Sequence, residues 1–278
     1  MKNNNFNLLT LISSFILILV VSFTIFSCQK DNTNTLTNEK TIDYELIGNE
    51  HNKGLDYVYN YVKTEKAKGN LKSSIDFLTI AEEGTREFLK NSKLLQEKEN
   101  QKIAIKASEK PFNVYKTFAY KNVSDVNTKN LWTDDVDDVL TDIQKQILNE
   151  MNDIVSAGYN IEDIIQKLTE LDVRIEELCP VEEREILYTA TAIGRHSFQY
   201  WNDNFNKWKE LLDNHKKQFS WSDVGKNDVA YGVGGGAAGA IVGGSVSLGA
   251  LTVPGWVAGA VGGAVGGSIG NAILQWWD

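Results

Sequence analysis

Between Asp228 and Asp278 lie 49 consecutive residues without a charged side chain, and 15 of the chain's 22 glycines fall between Gly232 and Gly270. Glycine costs a helix about 1 kcal/mol per residue relative to alanine, so a helical segment this rich in it must recover that cost through packing. Thr252, Pro254 and Gly255 interrupt the run near its middle. Two pieces remain, each of roughly 20 residues, the length of one bilayer crossing. In the first, Gly235, Gly239, Gly243 and Ser247 recur every four residues; in the second, Gly255, Gly259, Gly263 and Gly267 do so beside Gly262, Gly266 and Gly270. Four residues turn a helix by about 400°, so each set forms a smooth face on which a second backbone can lie closely, gaining dispersion and weak CαH···O contacts. Val257, Val261, Ala264 and Val265 fall on the opposite side. The pattern predicts a glycine-zipper helical hairpin over 228–278. In a bilayer, Tyr231, Trp276 and Trp277 would form one interfacial aromatic belt and Trp256 the other.

The other end of the chain carries a second apolar block. Residues 1–27 hold one charge, Lys2, and run through "FNLLTLISSFILILVVSFTIF" to Ser27 and Cys28, which reads as a secretory signal. The ending "TIFSC" resembles the lipobox of bacterial lipoproteins, and the resemblance covers about the first 31 residues. It implies that Cys28 is lipidated and becomes the new N-terminus, with acyl chains such as palmitate as the membrane anchor. "CQKDN", Cys28–Asn32, is similar to the short lysine-plus-acid tag that sends some lipoproteins to the outer surface. A solvated tether explains the same residues. Residues 28–41 are polar, rich in Asn and Thr and without periodicity, so a disordered tether is expected there.

Charge sets limits on partners. The chain carries net −9, and loss of the signal with its Lys2 leaves −10. An acidic chain is a poor match for nucleic acid or for anionic lipid. With Cys28 consumed by lipidation, Cys179 in "EELCPVEE" has no partner within the chain; it is expected as a packed residue at a helix end, with an intermolecular bridge as the other possibility.

Residues 42–227 read as an acidic all-α domain. Leu55, Val58 and Val62 in "EHNKGLDYVYNYV" are expected to point inward. A Ser73 or Ser74 N-cap opens one long helix that spaces Ile75, Leu78, Phe88, Leu95 and Ile103 by threes and fours and ends before Pro111, with 111–132 as an irregular connection. Thr133 is expected to cap a helix carrying Val136, Leu140, Ile143, Ile147 and Ile154 and stopping at Gly158; Asn160 caps the next, which ends before Pro180. A last helix over about 181–217 carries Phe198, Trp201, Phe205, Trp208, Leu212, His215 and Phe219 at alternating spacings of three and four, a heptad seam with aromatic knobs. Such a seam suits a core stripe, or else Trp201 and Trp208 form a stacking surface for a sugar or a partner helix.

Reactive constellations are sparse. His51, His196 and His215 are scattered, with no neighbour at metal-ligand spacing. Asp134, Asp135, Asp137 and Asp138 sit where a helix's first turn favours carboxylates, and they lack the glycine turn and final glutamate of a calcium loop. "GVGGGAAG" lacks the Lys-Ser/Thr ending of a phosphate loop. The expectation is a protein without catalytic residues, metal or cofactor.

The C-terminal fifth resembles the glycine zippers of membrane-active bacteriocins and of two-helix envelope lipoproteins, and a helical domain before a charge-free hairpin resembles the layout of pore-forming colicins. These resemblances imply a non-enzymatic lipoprotein of the cell envelope, exposed at the outer membrane, that meets membrane through both its lipid and its hairpin and can self-associate, with no nucleic-acid partner. A pore-forming toxin acting on neighbouring cells is the sharper alternative. A soluble helical interaction protein with the hairpin buried in its core is another.

Overall fold

The structure is a computed structural model that describes residues 42–121, 139–212, 220–243 and 254–277. Among them every regular element is helical, so the chain is all-α as its periodicity predicts. The helices are α1 Tyr44–Ala67, α2 Ser74–Asn91, α3 Lys98–Lys121, α4 Asp142–Ser156, α5 Ile161–Leu178, α6 Arg184–Leu211, α7 Trp221–Gly243 and α8 Gly255–Trp277, with a short 3₁₀ turn, Val181–Glu183, leading into α6. Cys28, the signal and the tether lie outside the described residues, as do the aspartates 134–138, His215, Phe219 and Ser247.

Local chemistry sets most boundaries. Asp43 Oδ1 accepts from the Glu45 amide and caps α1. Ser73 Oγ accepts from the Asp76 amide and caps α2, and Asn160 does the same for α5 through the Asp163 amide. Each satisfies a backbone donor that the first helical turn would otherwise leave bare. Gly69 and Gly158 adopt positive φ after their helices, a conformation that an L side chain resists. Cys179 closes α5 as a buried free thiol.

Three boundaries differ from the sequence reading. The long helix expected from Ser73 breaks at Ser92, with no glycine or proline there. The Ser92 hydroxyl donates to Glu50 Oε1 (2.5 Å) and accepts from the Leu94 and Leu95 amides, so a side chain replaces helical backbone bonds and turns the chain while Leu95 stays buried. Pro111 does not end a helix but lies inside α3. Its ring is buried against α8, and tertiary burial outweighs the lost amide donor. Finally, the helix expected to run on from Thr133 is interrupted at residues 139–141, and α4 starts at Asp142, capped by Thr141 in a reciprocal capping box with Gln144; Thr133 and Val136 lie outside the described residues.

α8 occupies the centre. It packs most extensively against α7 and α3, and also meets α1, α2 and α6. The outer helices bury stripes such as Leu55, Val58 and Val62 on α1 and Leu168, Leu171 and Ile175 on α5. Asp43–Asp278 forms one compact unit, and Asp228, where the charge-free run begins, lies inside α7 rather than at a structural boundary.

Candidate functional site: the sheathed glycine hairpin

The glycine faces of α7 and α8 meet each other. A Cβ at Gly235 would strike the Gly259 carbonyl, one at Gly259 the Gly235 carbonyl, and one at Gly239 the Gly255 carbonyl. Gly263 lies on the Tyr231 carbonyl, and Gly267 against the Tyr231 ring and the Asn227 carbonyl. Two backbones approach this closely only where neither carries a side chain.

The remaining glycines of α8 form a second face that spacing alone leaves unassigned. Gly262 fits on the Ala104 carbonyl, Gly266 beside the Ser108 carbonyl and the Pro111 ring, and Gly270 against the Tyr115 ring, all on α3. α8 is thus notched on two sides, by α7 and by α3. Gly243 belongs to α7, and the backbone of Trp277 to α8.

The aromatic residues close the other end of the core. Trp276 is buried, 6.0 Å from Trp201 and 5.6 Å from Phe205 between ring centroids. Trp201 and Trp208, 5.5 Å apart, are also buried, so the heptad seam of α6 is a core stripe and offers no stacking surface. Tyr231 packs edge-on to Tyr115 at 6.0 Å, and Trp256 is half-buried at the start of α8.

A polar knot lies within this apolar core. Asp228 is fully buried; its Oδ2 accepts from the Ser197 hydroxyl on α6 and from the Ser268 hydroxyl on α8 at 2.9 Å, while Trp201 Nε1 donates to Ser268 at 2.8 Å. His51 on α1 is equally buried, with Nε2 3.7 Å from the same carboxylate oxygen. Burial raises the Asp228 carboxyl well above the usual carboxylate range, because an ionised form would lose its hydration. Burial likewise pushes the His51 imidazole down to about 4. One layer away, the Tyr115 hydroxyl donates to Asn227 Oδ1 at 2.8 Å. The knot thus ties both hairpin helices to α6, with His51 of α1 packed beside it.

Serine, histidine and aspartate come together here, but in an order that cannot perform acyl transfer. Both hydroxyls donate to the carboxylate rather than to the imidazole, and the group is sealed from solvent. Sequence reading missed this knot because its members lie on four helices. The available signal was Ser268, Asn271 and Gln275, polar residues spaced by three and four on an otherwise apolar helix, each needing a partner.

Elsewhere the surface offers a groove of about 370 Å³ between α4 and α5, lined in part by Glu150, Lys167, Glu170 and Arg174. Arg174 pairs with Glu150 there, and Lys167 lies 4.8 Å over the Tyr159 ring, so the main charges are answered internally. Among the described residues no three His, Cys, Asp or Glu side chains converge as a metal site. Comparison with protein-family models, curated proteins and solved structures finds no match for the chain.

Proposed function

We propose that the protein is a non-enzymatic, lipid-anchored protein of the cell envelope that stores a membrane-competent glycine hairpin inside its own soluble helical bundle. One observation carries this reading: Gly255–Trp276 is long and apolar enough to cross a bilayer, and all of its most apolar stretch is buried in the fold. The outer helices present charged residues to water and apolar stripes to the hairpin, so in the closed form the bundle takes the place of lipid. Cys28 supplies the anchor, which keeps the hairpin at the surface it would enter. A toxin acting on neighbouring cells would use the same closed form.

A second reading makes the hairpin a permanent core, with the outer surface as the working part. It is favoured by the two-sided backbone interlock of α8, which is costly to open.

The test is a reversible lock. A Cβ at Gly54 would lie 2.7 Å from Val265 Cγ2. Gly54→Cys with Val265→Cys removes that methyl and places two thiols within bridging reach. On the stored-hairpin reading, the protein releases dye from vesicles, the oxidised lock suppresses release and a reductant restores it. Release that ignores the lock, or no release from any vesicle, leaves the permanent-core reading.

A further inference from the structure

The overall acidity of the chain argues against anionic lipid as a partner, but the charge is unevenly distributed. α3 contains six lysines and two glutamates, and its first half, residues 98–110, carries four of those lysines and both glutamates, a net charge of +2 in a chain of net −9. Lys98, Lys102, Lys106 and Lys110 follow one another at four-residue spacing, and all four are exposed. Lys102 has a side chain 73% exposed, paired only with the exposed Glu99 one turn back, an interaction that salt and solvent readily screen. Glu109, the other acid on α3, is engaged by Arg86 of α2 at 3.1 Å. Lys116, farther along, is held by Glu82 and does not belong to the stripe.

The opposite face of this helix is the α8 notch. Gly262, Gly266 and Gly270 meet Ala104, Ser108 and Tyr115 in that order, so α3 and α8 run in the same direction. At 1.5 Å per residue, the start of α8 at Gly255 is then level with the start of α3 near Lys98. The lysine-rich half of α3 therefore flanks the first half of α8. Behind the lysines, with no other helix between, is the one described stretch fit to cross a bilayer.

We propose that the outer face of α3, through Lys98, Lys102 and Lys106, docks the bundle on an anionic phospholipid surface, with α8 directly behind α3. Anionic headgroups answer a row of exposed ammonium groups. The net negative charge of the remaining surface turns the other faces away, so the same field that attracts α3 also orients the molecule. Each lysine near such a surface raises partitioning roughly fivefold. This docking rests on the stored-hairpin reading for its purpose, but its physical basis is independent of whether the hairpin ever inserts.

The full lipid-anchored chain is reconstituted on vesicles of phosphatidylcholine alone and on vesicles that also contain phosphatidylglycerol. Lysines are acylated with a membrane-impermeant reagent and the sites are read by peptide mass spectrometry. Lys98, Lys102 and Lys106 should be acylated several-fold more slowly on the phosphatidylglycerol vesicles, while Lys53 on α1 and Lys167 on α5 label equally on both. The protection should vanish at about 1 M salt, where the screening length is about 3 Å. In a Lys98→Gln, Lys102→Gln variant with unchanged circular dichroism, Lys106 should lose its protection. Equal labelling on the two vesicle types, or protection that survives high salt, overturns the docking proposal. Dye release without lysine protection overturns docking and leaves the stored hairpin standing; protection without release does the reverse.

Discussion

His51 Nε2 lies 3.7 Å from Asp228 Oδ2, and both side chains are wholly buried. The pair sets the expected pH dependence of stability. A lowered imidazole pKa removes stability as pH falls from 6.5 toward about 4. A raised carboxyl pKa removes stability as pH climbs from 3.8. As pH moves between those limits the two effects run in opposite directions and oppose each other. Asp228→Asn removes the carboxyl half and leaves the imidazole alone, so its contribution should be level above 6.5 and fall below it, by at most about 1.4 kcal/mol per pH unit, more steeply than in the unaltered protein. Urea unfolding at pH 5, 6.5 and 8 checks this; parallel curves for the two proteins would refute it.

Shortening the same aspartate should cost more than neutralising it. Asp228→Ala leaves the Ser197 and Ser268 hydroxyls without the acceptor they share, in a site closed to water. The expected loss is about 2–4 kcal/mol, against less than about 1 kcal/mol for Asp228→Asn at pH 6.5. The midpoints of chemical unfolding report the difference.

Two glycines on the hairpin should respond with opposite sign. At Gly259 an added methyl runs into the Gly235 backbone, which cannot yield as a flexible side chain could. At Gly234 it meets nothing within 4 Å. Gly259→Ala should destabilise by a few kcal/mol through forced separation of α7 and α8, whereas Gly234→Ala should stabilise by up to about 1 kcal/mol through helix propensity. Equal effects in thermal unfolding would mean that the glycine face is not a contact. Because α8 also packs on α1, α2 and α3, joint replacement of Gly259, Gly263 and Gly267 by leucine should unfold the whole bundle and spare none of the outer helices.

Periodicity made the helical class and the zipper spacing legible, because 3.6-residue repeats and small-residue faces are local properties. It could not reveal that Gly262, Gly266 and Gly270 belong to a different partner from Gly259 and Gly263. That assignment depends on where α3 lies. The length of α3 was hidden for a related reason: Pro111 opposes helix on propensity and is held there by burial against Gly266. The break at Ser92 was likewise invisible, since its cause is a bond to Glu50 on another helix. Asp228 stood out in sequence only as the last charge before the apolar run, and its meaning required His51, Ser197 and Ser268 from three other helices.

Near the start of α1, Arg195 donates to Glu45 at 2.5 Å and to Asp172 at 2.6 Å. The guanidinium is mostly covered, so its removal strands a half-buried Asp172, already raised by burial, beside Thr191. Arg195→Ala should cost about 1–3 kcal/mol, more than an exposed ion pair. Lysine at this position should restore only part of it, because a single ammonium cannot bridge both carboxylates in the planar geometry that Arg195 uses. The ranking of arginine, lysine and alanine by unfolding midpoint is the measurement.

Amide hydrogen exchange separates a stored hairpin from one that is open at rest. In water, the amides of Val257–Leu274 lie in a helix whose every side chain in that span is buried, notched against α7 on one side and α3 on the other. Exchange there requires opening of the whole bundle, so these amides should be the slowest in the chain and should exchange at the free energy of global unfolding. The exposed amides of Tyr159 and Asn160, between α4 and α5, should exchange orders of magnitude faster. Anionic vesicles should speed α8 exchange if the bundle opens on them, and re-protect it once the hairpin enters the apolar layer, where no water reaches the backbone. Fast exchange of α8 in water alone would mean that the closed bundle is not the resting form.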